Sequence, residues 1–140
     1  TDVRMGDTEC QVILPRLKSD ILKIIINAVN DKLNNTKIEW KKVKSMTIVL
    51  CSKGYPGNYK KNIIIKNIDK MKLKKNETIY HAGTKLENNS VFSNGGRVLN
   101  FTSFGKNYSL VRKQILRLIQ RLNWKHGFFR KDIGWRILKK

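Results

Sequence analysis

The chain has 140 residues, of which 30 are Lys or Arg and 10 are Asp or Glu, so its formal net charge is +20. This length fits one domain of ordinary size or a part of a larger protein, and the charge excludes an acidic or neutral surface. No apolar run approaches the ~20 residues of a membrane-spanning helix, which excludes a transmembrane protein and leaves an anionic partner as the first hypothesis.

The lysines argue against a specific polyanion target. Lys is used far more than Arg, and short basic runs such as Lys60-Lys61 and Lys72–Lys75 occur along the whole chain. Nucleic-acid binders more often concentrate Arg and aromatic residues on one element. The dispersed pattern favours a solvated surface, and we expect no specific nucleic-acid partner.

The two cysteines indicate the redox compartment, and the first residues indicate whether the chain is processed. Cys10 and Cys51 lie far apart without a Cys/His cluster, which predicts neither a zinc site nor a disulfide framework and favours a reduced, cytoplasmic setting. The chain starts at Thr1 without a signal-peptide pattern. We expect it to be processed or to be cut from a longer protein.

The first half of the chain predicts a helix followed by strands and a loop. Apolar residues recur at helical spacing over residues 13–33, with Pro15 near the start and Asn34-Asn35 as the end. Residues 45–51 are rich in β-formers and predict a buried strand. A loop over residues 53–59 contains two glycines and a proline, and residues 63–65 predict a short strand.

The second half predicts more strands, a long helix and a tail over residues 128–136 that packs on the domain, because it is dense in aromatic residues and Arg. Residues 77–82 and 97–104 predict strands, and residues 93–96 predict a tight hairpin-type turn. An apolar stripe over residues 108–122 predicts a helix, which Asn107 or Ser109 can cap. The order favours an α+β fold with antiparallel hairpins and a long helix.

Three loops combine glycine with basic side chains. They span residues 54–61, 81–85 and 94–97. Glycine lets backbone N–H groups approach an anion, and Lys or Arg supplies charge, so the loops together would suit a phosphorylated sugar or nucleotide. Taken singly, each is also typical of a structural turn, and none matches the dinucleotide or phosphate-loop motif.

The N-terminal stretch places a cation near two carboxylates. Arg4, Asp7 and Glu9 lie within six positions. Carboxylates near phosphates usually hold Mg²⁺, and a neighbouring Arg can bind a phosphoryl group. An ordinary surface loop with ion pairs is the alternative.

Six segments in this order resemble one known family. They are Val3–Gln11, Arg16–Asp20, Gly54–Tyr59, His81–Thr84, Asn94–Leu99 and Arg130–Gly134. Together they resemble the C-terminal third of the phosphoribosylamine–glycine ligases (glycinamide ribonucleotide synthetases), which belong to the ATP-grasp superfamily. The resemblance implies that ATP phosphorylates glycine to glycyl phosphate, and that the amine of 5-phosphoribosylamine attacks it to give glycinamide ribonucleotide, ADP and phosphate in purine biosynthesis.

The resemblance also implies roles for residues near the N-terminus. Arg4 matches the family's Arg near the phosphates and is the implied catalytic residue. Asp2 stands where the family has a metal-binding Asn, for Mg²⁺ or Mn²⁺, and the partner Glu would precede Thr1. Asp7 matches a Gly-Asp motif near the substrates, and Lys18 is a plausible anchor for the ribose phosphate.

The glycine loops would face the substrates in this family. The residues implied to bind substrate there are Tyr59, Lys60, His81, Gly83, Thr84, Gly95, Gly96 and Arg97.

The resemblance implies two domains and a missing part. Residues 1–43 would end a helix-rich ATP-grasp domain, and residues 44–140 would form a mostly antiparallel C-terminal domain that packs on it. The residues that clamp ATP lie upstream in the family, so we expect the chain alone to be inactive. The alternative is a small basic nucleic-acid-binding protein, whose terminal aromatic residues could stack on bases.

Overall fold

The computed structural model describes residues 5–138 and shows an α+β fold, as the sequence predicts. The helices are α1 (Glu9–Ile13), α2 (Ile21–Val29), α3 (Tyr108–Leu122) and α4 (Trp135–Leu138), with single 3-10 turns at Leu14–Arg16 and Leu33–Asn35. The strands are β1 (Lys44–Ser52), β2 (Ile63–Ile64), β3 (Glu77–His81), β4 (Thr84–Glu87), β5 (Ser90–Ser93), β6 (Arg97–Gly105) and β7 (Gly127–Phe128).

Two antiparallel sheets organise the strands. The larger has the order β3-β6-β1-β7, and the smaller has the order β2-β5-β4. The long strands β1 and β6 pair from Lys44 opposite Gly105 to Cys51 opposite Arg97, with a register shift after Leu50. Strands β1 and β6 therefore contribute residues to the core. The glycine loops attach at the end of the sheet where Cys51 lies opposite Arg97.

Helix α3 covers one face of the larger sheet. Its buried residues Val111, Ile115 and Leu118 have the spacing of one helical face and pack with Ile48 and Phe101 of the sheet. Each such side chain contributes about 1.5–3 kcal/mol when it leaves water. The predicted bounds are confirmed.

The start of α3 is fixed by a side-chain cap. The Asn107 side chain accepts a hydrogen bond of 2.9 Å from the backbone N–H of Leu110, which confirms it as the N-cap. Leu110 lies within the stretch of the predicted apolar stripe but is 43% exposed.

The single helix predicted over residues 13–33 is wrong. The chain forms α1, a 3-10 turn that contains Pro15, and then an extended segment in which Lys18 and Ser19 donate backbone hydrogen bonds to the Glu39 carbonyl. Helix α2 starts only after Asp20, whose carboxylate accepts from the N–H groups of Leu22 and Lys23. Asp20 is an N-cap that lies within the apolar stripe, and it therefore divides the predicted helix in two.

The hairpin-type turn predicted at residues 93–96 is also wrong. Strands β5 and β6 lie in different sheets, so Gly95 and Gly96 connect the two sheets. The actual hairpin joins β4 to β5 through Asn88 and Asn89, which have φ values of 47° and 57°. Asn tolerates this left-handed conformation, which a two-residue hairpin turn requires.

Helix α2 exposes an apolar surface. Its apolar side chains include Leu22, Ile25, Ile26 and Val29, which are all at least half exposed, and none of its residues is buried. Such a face on a helix is normally covered by another structural element. Among residues 5–138, no helix has both the length and the apolar character that crossing a membrane requires.

Candidate functional site

A carboxylate of the N-terminal segment lies at the centre of a polar cluster on the larger sheet. Asp7 Oδ1 accepts hydrogen bonds from Gln11 Nε2 at 2.8 Å and from Asn100 Nδ2 at 3.0 Å. Its other oxygen, Oδ2, lies 3.3 Å from Arg97 Nη1. We call these four residues the Asp7 cluster. It joins a sequence-predicted acid to a sequence-predicted cation that is 90 positions away.

The two amides of the Asp7 cluster have a fixed orientation. An ionised carboxylate only accepts hydrogen bonds, so Gln11 and Asn100 must both direct their NH₂ groups toward Asp7. Their carbonyl oxygens are buried and have no hydrogen-bond partner among the described residues. Leaving such an oxygen unpaired costs about 1–3 kcal/mol. The fold tolerates this cost at two positions that hold the same carboxylate.

A β-bulge places Arg97 in this cluster. The register shifts between Leu50 and Cys51, so that Cys51 pairs with Arg97 and Val98 becomes the extra residue. Bulges redirect side chains in this way. Burial raises the pKa of the Cys51 thiol, and the nearby Arg97 charge partly opposes that increase in pKa. The Arg97 side chain is 48% exposed and can therefore contact a ligand.

The predicted glycines bring the loops into close contact. A Cβ atom on Gly83 would lie 2.3 Å from the Arg97 carbonyl oxygen, and one on Gly96 would lie 2.0 Å from the Tyr55 ring. Gly95 and Asn94 both donate to the Gly83 carbonyl, at 3.1 Å and 2.7 Å. All three predicted loops therefore meet beside Arg97, and these glycines allow their backbones and rings to approach one another.

The remaining loop residues occupy two places. His81 Nδ1 and Thr84 Oγ1 are 2.9 Å apart across the turn that contains Gly83. Tyr59 and Lys60 line a separate cleft of about 520 Å³, together with Ser52, Lys53 and His126.

Lys18 has a different partner from the loop residues. Its ammonium lies 2.9 Å from Glu39. Hydrogen bonds from Lys18 and then Lys37 lower the pKa of Glu39. Lys18 lies just before α2 and forms an ion pair with Glu39, whereas Arg97 and Asn100 of the Asp7 cluster lie on β6. The two further predicted site residues, Asp2 and Arg4, lie outside the described residues.

Two members of the Asp7 cluster were not predicted as site residues. Gln11 lies in the first motif but had no assigned role, and Asn100 lies in the strand predicted over residues 97–104 without a role of its own. A signal for Asn100 exists, because an amide between Leu99 and Phe101 in a buried strand needs a polar partner. Within residues 5–138, no three His, Cys, Asp or Glu side chains are grouped as metal ligands.

The comparisons with known proteins identify the family. The family model described as phosphoribosylglycinamide synthetase, C domain, matches residues 45–136. The chain belongs to this family. Among relatives, the chloroplastic phosphoribosylamine–glycine ligase of Arabidopsis thaliana is 41% identical over 99% of the chain, and that of Agrobacterium fabrum is 41% identical over 98%.

The similarity extends to a solved structure and covers only part of each relative. The crystal structure of phosphoribosylamine–glycine ligase from Thermotoga maritima has a TM-score of 0.67 and 25% identity over 94% of the chain. The chain spans 26% of the Arabidopsis protein, 32% of the Agrobacterium protein and 32% of the Thermotoga chain. The family's C domain is thus the part that the chain contains.

Proposed function

We propose that the chain acts as the C-terminal part of a phosphoribosylamine–glycine ligase, an ATP-dependent carbon–nitrogen ligase of purine biosynthesis in the cytoplasm. Its substrates would be ATP, glycine and 5-phosphoribosylamine. The observation that carries the proposal is the meeting of the three glycine loops beside the half-exposed Arg97. Family membership and the names of the relatives support the same reaction.

The loops beside Arg97 would bind phosphoribosylamine. The Arg97 guanidinium can donate two parallel hydrogen bonds to a phosphate, and the glycines allow the sugar phosphate to approach the backbone. Asp7 would act in this site by fixing the position of Arg97. His81 and Thr84 lie next to Gly83 and would contact the sugar, and Tyr59 and Lys60 would contribute from the neighbouring cleft.

Lys18 and Arg4 would act at the border with the missing part. Lys18 would have to exchange Glu39, now at 2.9 Å, for the ribose phosphate. Arg4 would approach the transferring phosphoryl group, where a fixed cation stabilises the developing charge. Bound Mg²⁺ or Mn²⁺ would supply charge neutralisation, with Asp2 as the ligand from this chain.

The domain organisation follows from the same proposal. Residues 1–43 would complete an ATP-grasp domain, and residues 44–140 would form the C-terminal domain. The start of the family match at residue 45 and the exposed apolar face of α2 support this division. The rest of the ATP-grasp domain would cover that face and would hold ATP, so the chain alone would have no ligase activity.

The experiment restores the upstream two thirds and measures ADP formation. The complete protein should cleave ATP only when glycine and phosphoribosylamine are both present, and the product should contain the new amide. The 140-residue chain alone is the matched control and should not cleave ATP. If the complete protein shows no cleavage that depends on both substrates, the ligase proposal is wrong.

A further inference from the structure

Two clefts that adjoin each other are lined by no residue of the Asp7 cluster. The first has a volume of about 520 Å³ and the second about 330 Å³. They share two lining residues, Ile63 and His126, so they are neighbours beside β2 and the segment after α3. We call the two clefts together the basic groove.

The basic groove gathers lysines that are dispersed in the sequence. Lys53 and Lys60 line the first cleft, and Lys66 and Lys125 line the second. Among the described residues that line the two clefts, none is Asp or Glu, and these four ammonium groups form none of the ion pairs seen between described side chains. Unpaired lysines along one groove create a positive potential that attracts an anion.

Ring systems line the same two clefts as these lysines. Tyr59 and His126 line the first cleft, and Trp124 lines the second. The Trp124 indole donates a 3.0 Å hydrogen bond to the Ile64 carbonyl, which fixes the ring at one edge. The rings of Trp124 and His126 are 6.4 Å apart and tilted by 57°. Aromatic rings beside lysines are the kind of elements on which bases stack.

We infer that the basic groove binds single-stranded nucleic acid without sequence preference. Two neighbouring clefts with lysines in both suit a chain of phosphates better than one phosphate group. The aromatic rings favour unpaired bases, whose faces a duplex does not expose. The lysines are dispersed in the sequence, which predicts no such partner, but the fold places four of them along these two clefts. This inference does not depend on the proposed ligase function.

The test compares two lysine triples that change the net charge equally. The groove triple is K53Q/K66Q/K125Q, and the control triple is K23Q/K32Q/K42Q, whose lysines are also exposed but line neither cleft. Lys60 is left unchanged because the ligase proposal uses it. Binding of a labelled uridine oligomer of about 12 nucleotides, within the usual site size, is measured by fluorescence anisotropy on the 140-residue chain.

Counterion release sets the expected size of the effect. Each lost phosphate contact removes about 0.7 from the slope of log affinity against log salt, so the groove triple should lower that slope by about 2 and weaken binding about 100-fold at 0.1 M salt. The control triple should stay within about threefold of the original chain. Equal losses in both triples, or no binding by the original chain at about 100 μM, would overturn the inference.

A second measurement reports the position of the bases. The chain has three tryptophans, so W40F/W135F leaves Trp124 as the single indole. Its fluorescence should be quenched as the uridine oligomer binds, and the oligomer should compete better than uridine monophosphate at equal phosphate concentration. Unchanged Trp124 fluorescence at saturation would contradict base stacking in the groove.

Discussion

Asp7 and Arg97 form an ion pair of 3.3 Å that joins the N-terminal segment to the first residue of β6. Both side chains are partly exposed, so the pair itself contributes only about 0–1 kcal/mol to the free energy of unfolding. Its position is the important point, because Asn100 and Gln11 hold the same carboxylate. The pair therefore fixes the direction of Arg97 more than it stabilises the fold.

Replacement of Arg97 tests its contact with phosphoribosylamine. In the complete protein, R97A should raise KM for phosphoribosylamine about 10- to 100-fold, because a hydrogen bond to a charged group contributes about 1.5–3 kcal/mol. KM for ATP should change much less, and R97K should recover only part of the loss because Lys lacks the planar fork. Steady-state kinetics with each substrate varied in turn measures this. Equal increases in both KM values would argue against this placement of Arg97.

Replacement of Asn100 tests whether it positions Asp7. N100A removes one of the two amide donors to Asp7 Oδ1, so KM for phosphoribosylamine should rise, but by less than in R97A. In the double variant with R97A, the loss of Asn100 should add no further increase, since both act through the same contact. N34A, at an exposed position outside the Asp7 cluster and the clefts, is the matched control. Additive effects would show that Asn100 acts independently of Arg97.

Sequence patterns predicted an element best where several signals agreed. For α3, a complete apolar stripe and an Asn107 cap pointed to the same bounds. Over residues 13–33, the apolar periodicity continued through Asp20, and the cap that divides the helix was missed. Gly95 and Gly96 marked a break between two strands, but the predicted hairpin was wrong because which strands pair depends on contacts between distant segments.

The site was predictable by residue type and not by arrangement. Asp7 and Arg97 were both identified as candidates, yet no local pattern places them 3.3 Å apart. The bulge at Cys51 that directs Arg97 arises from pairing between β1 and β6. The lysines of the basic groove show the same limit, because Lys125 reaches the others only through the packing of the segment after α3.

Gly96 should be intolerant of a side chain. A Cβ atom there would lie 2.0 Å from a Tyr55 ring carbon, so G96A should destabilise the chain by about 1–3 kcal/mol as the ring is displaced. G57A is the control, since its nearest contact would be 3.2 Å, to the Gly54 carbonyl oxygen. Urea denaturation followed by circular dichroism measures both. In a Y55A background, the added G96A change should lower the free energy of unfolding much less than it does in the original chain. A G96A variant as stable as G57A would contradict the packing described.

The buried carboxylate of Glu77 should depend on Arg117. The Glu77 side chain is fully buried, with Arg117 Nη2 at 2.5 Å and the Lys74 N–H at 3.0 Å. R117M should lower the free energy of unfolding by about 3 kcal/mol, because it leaves a buried charge without its cation. E77Q/R117M should recover part of that loss, since the neutral amide needs no counter-charge. Urea denaturation of the parent, R117M and the double variant gives the comparison, and a double variant less stable than R117M would oppose this view.

The Cys51 thiol offers a test of the Arg97 position that needs no activity. In a C10S background Cys51 is the single cysteine, and its alkylation rate follows the thiolate fraction. Burial raises the pKa of this thiol, so the pH midpoint of alkylation should lie above that of an unperturbed cysteine. Arg97 lowers the pKa, so R97A should move the midpoint to still higher pH and slow alkylation at pH values below it. R121A removes the same charge elsewhere and should leave the midpoint unchanged. A midpoint that falls in R97A would mean that the guanidinium does not lie beside Cys51.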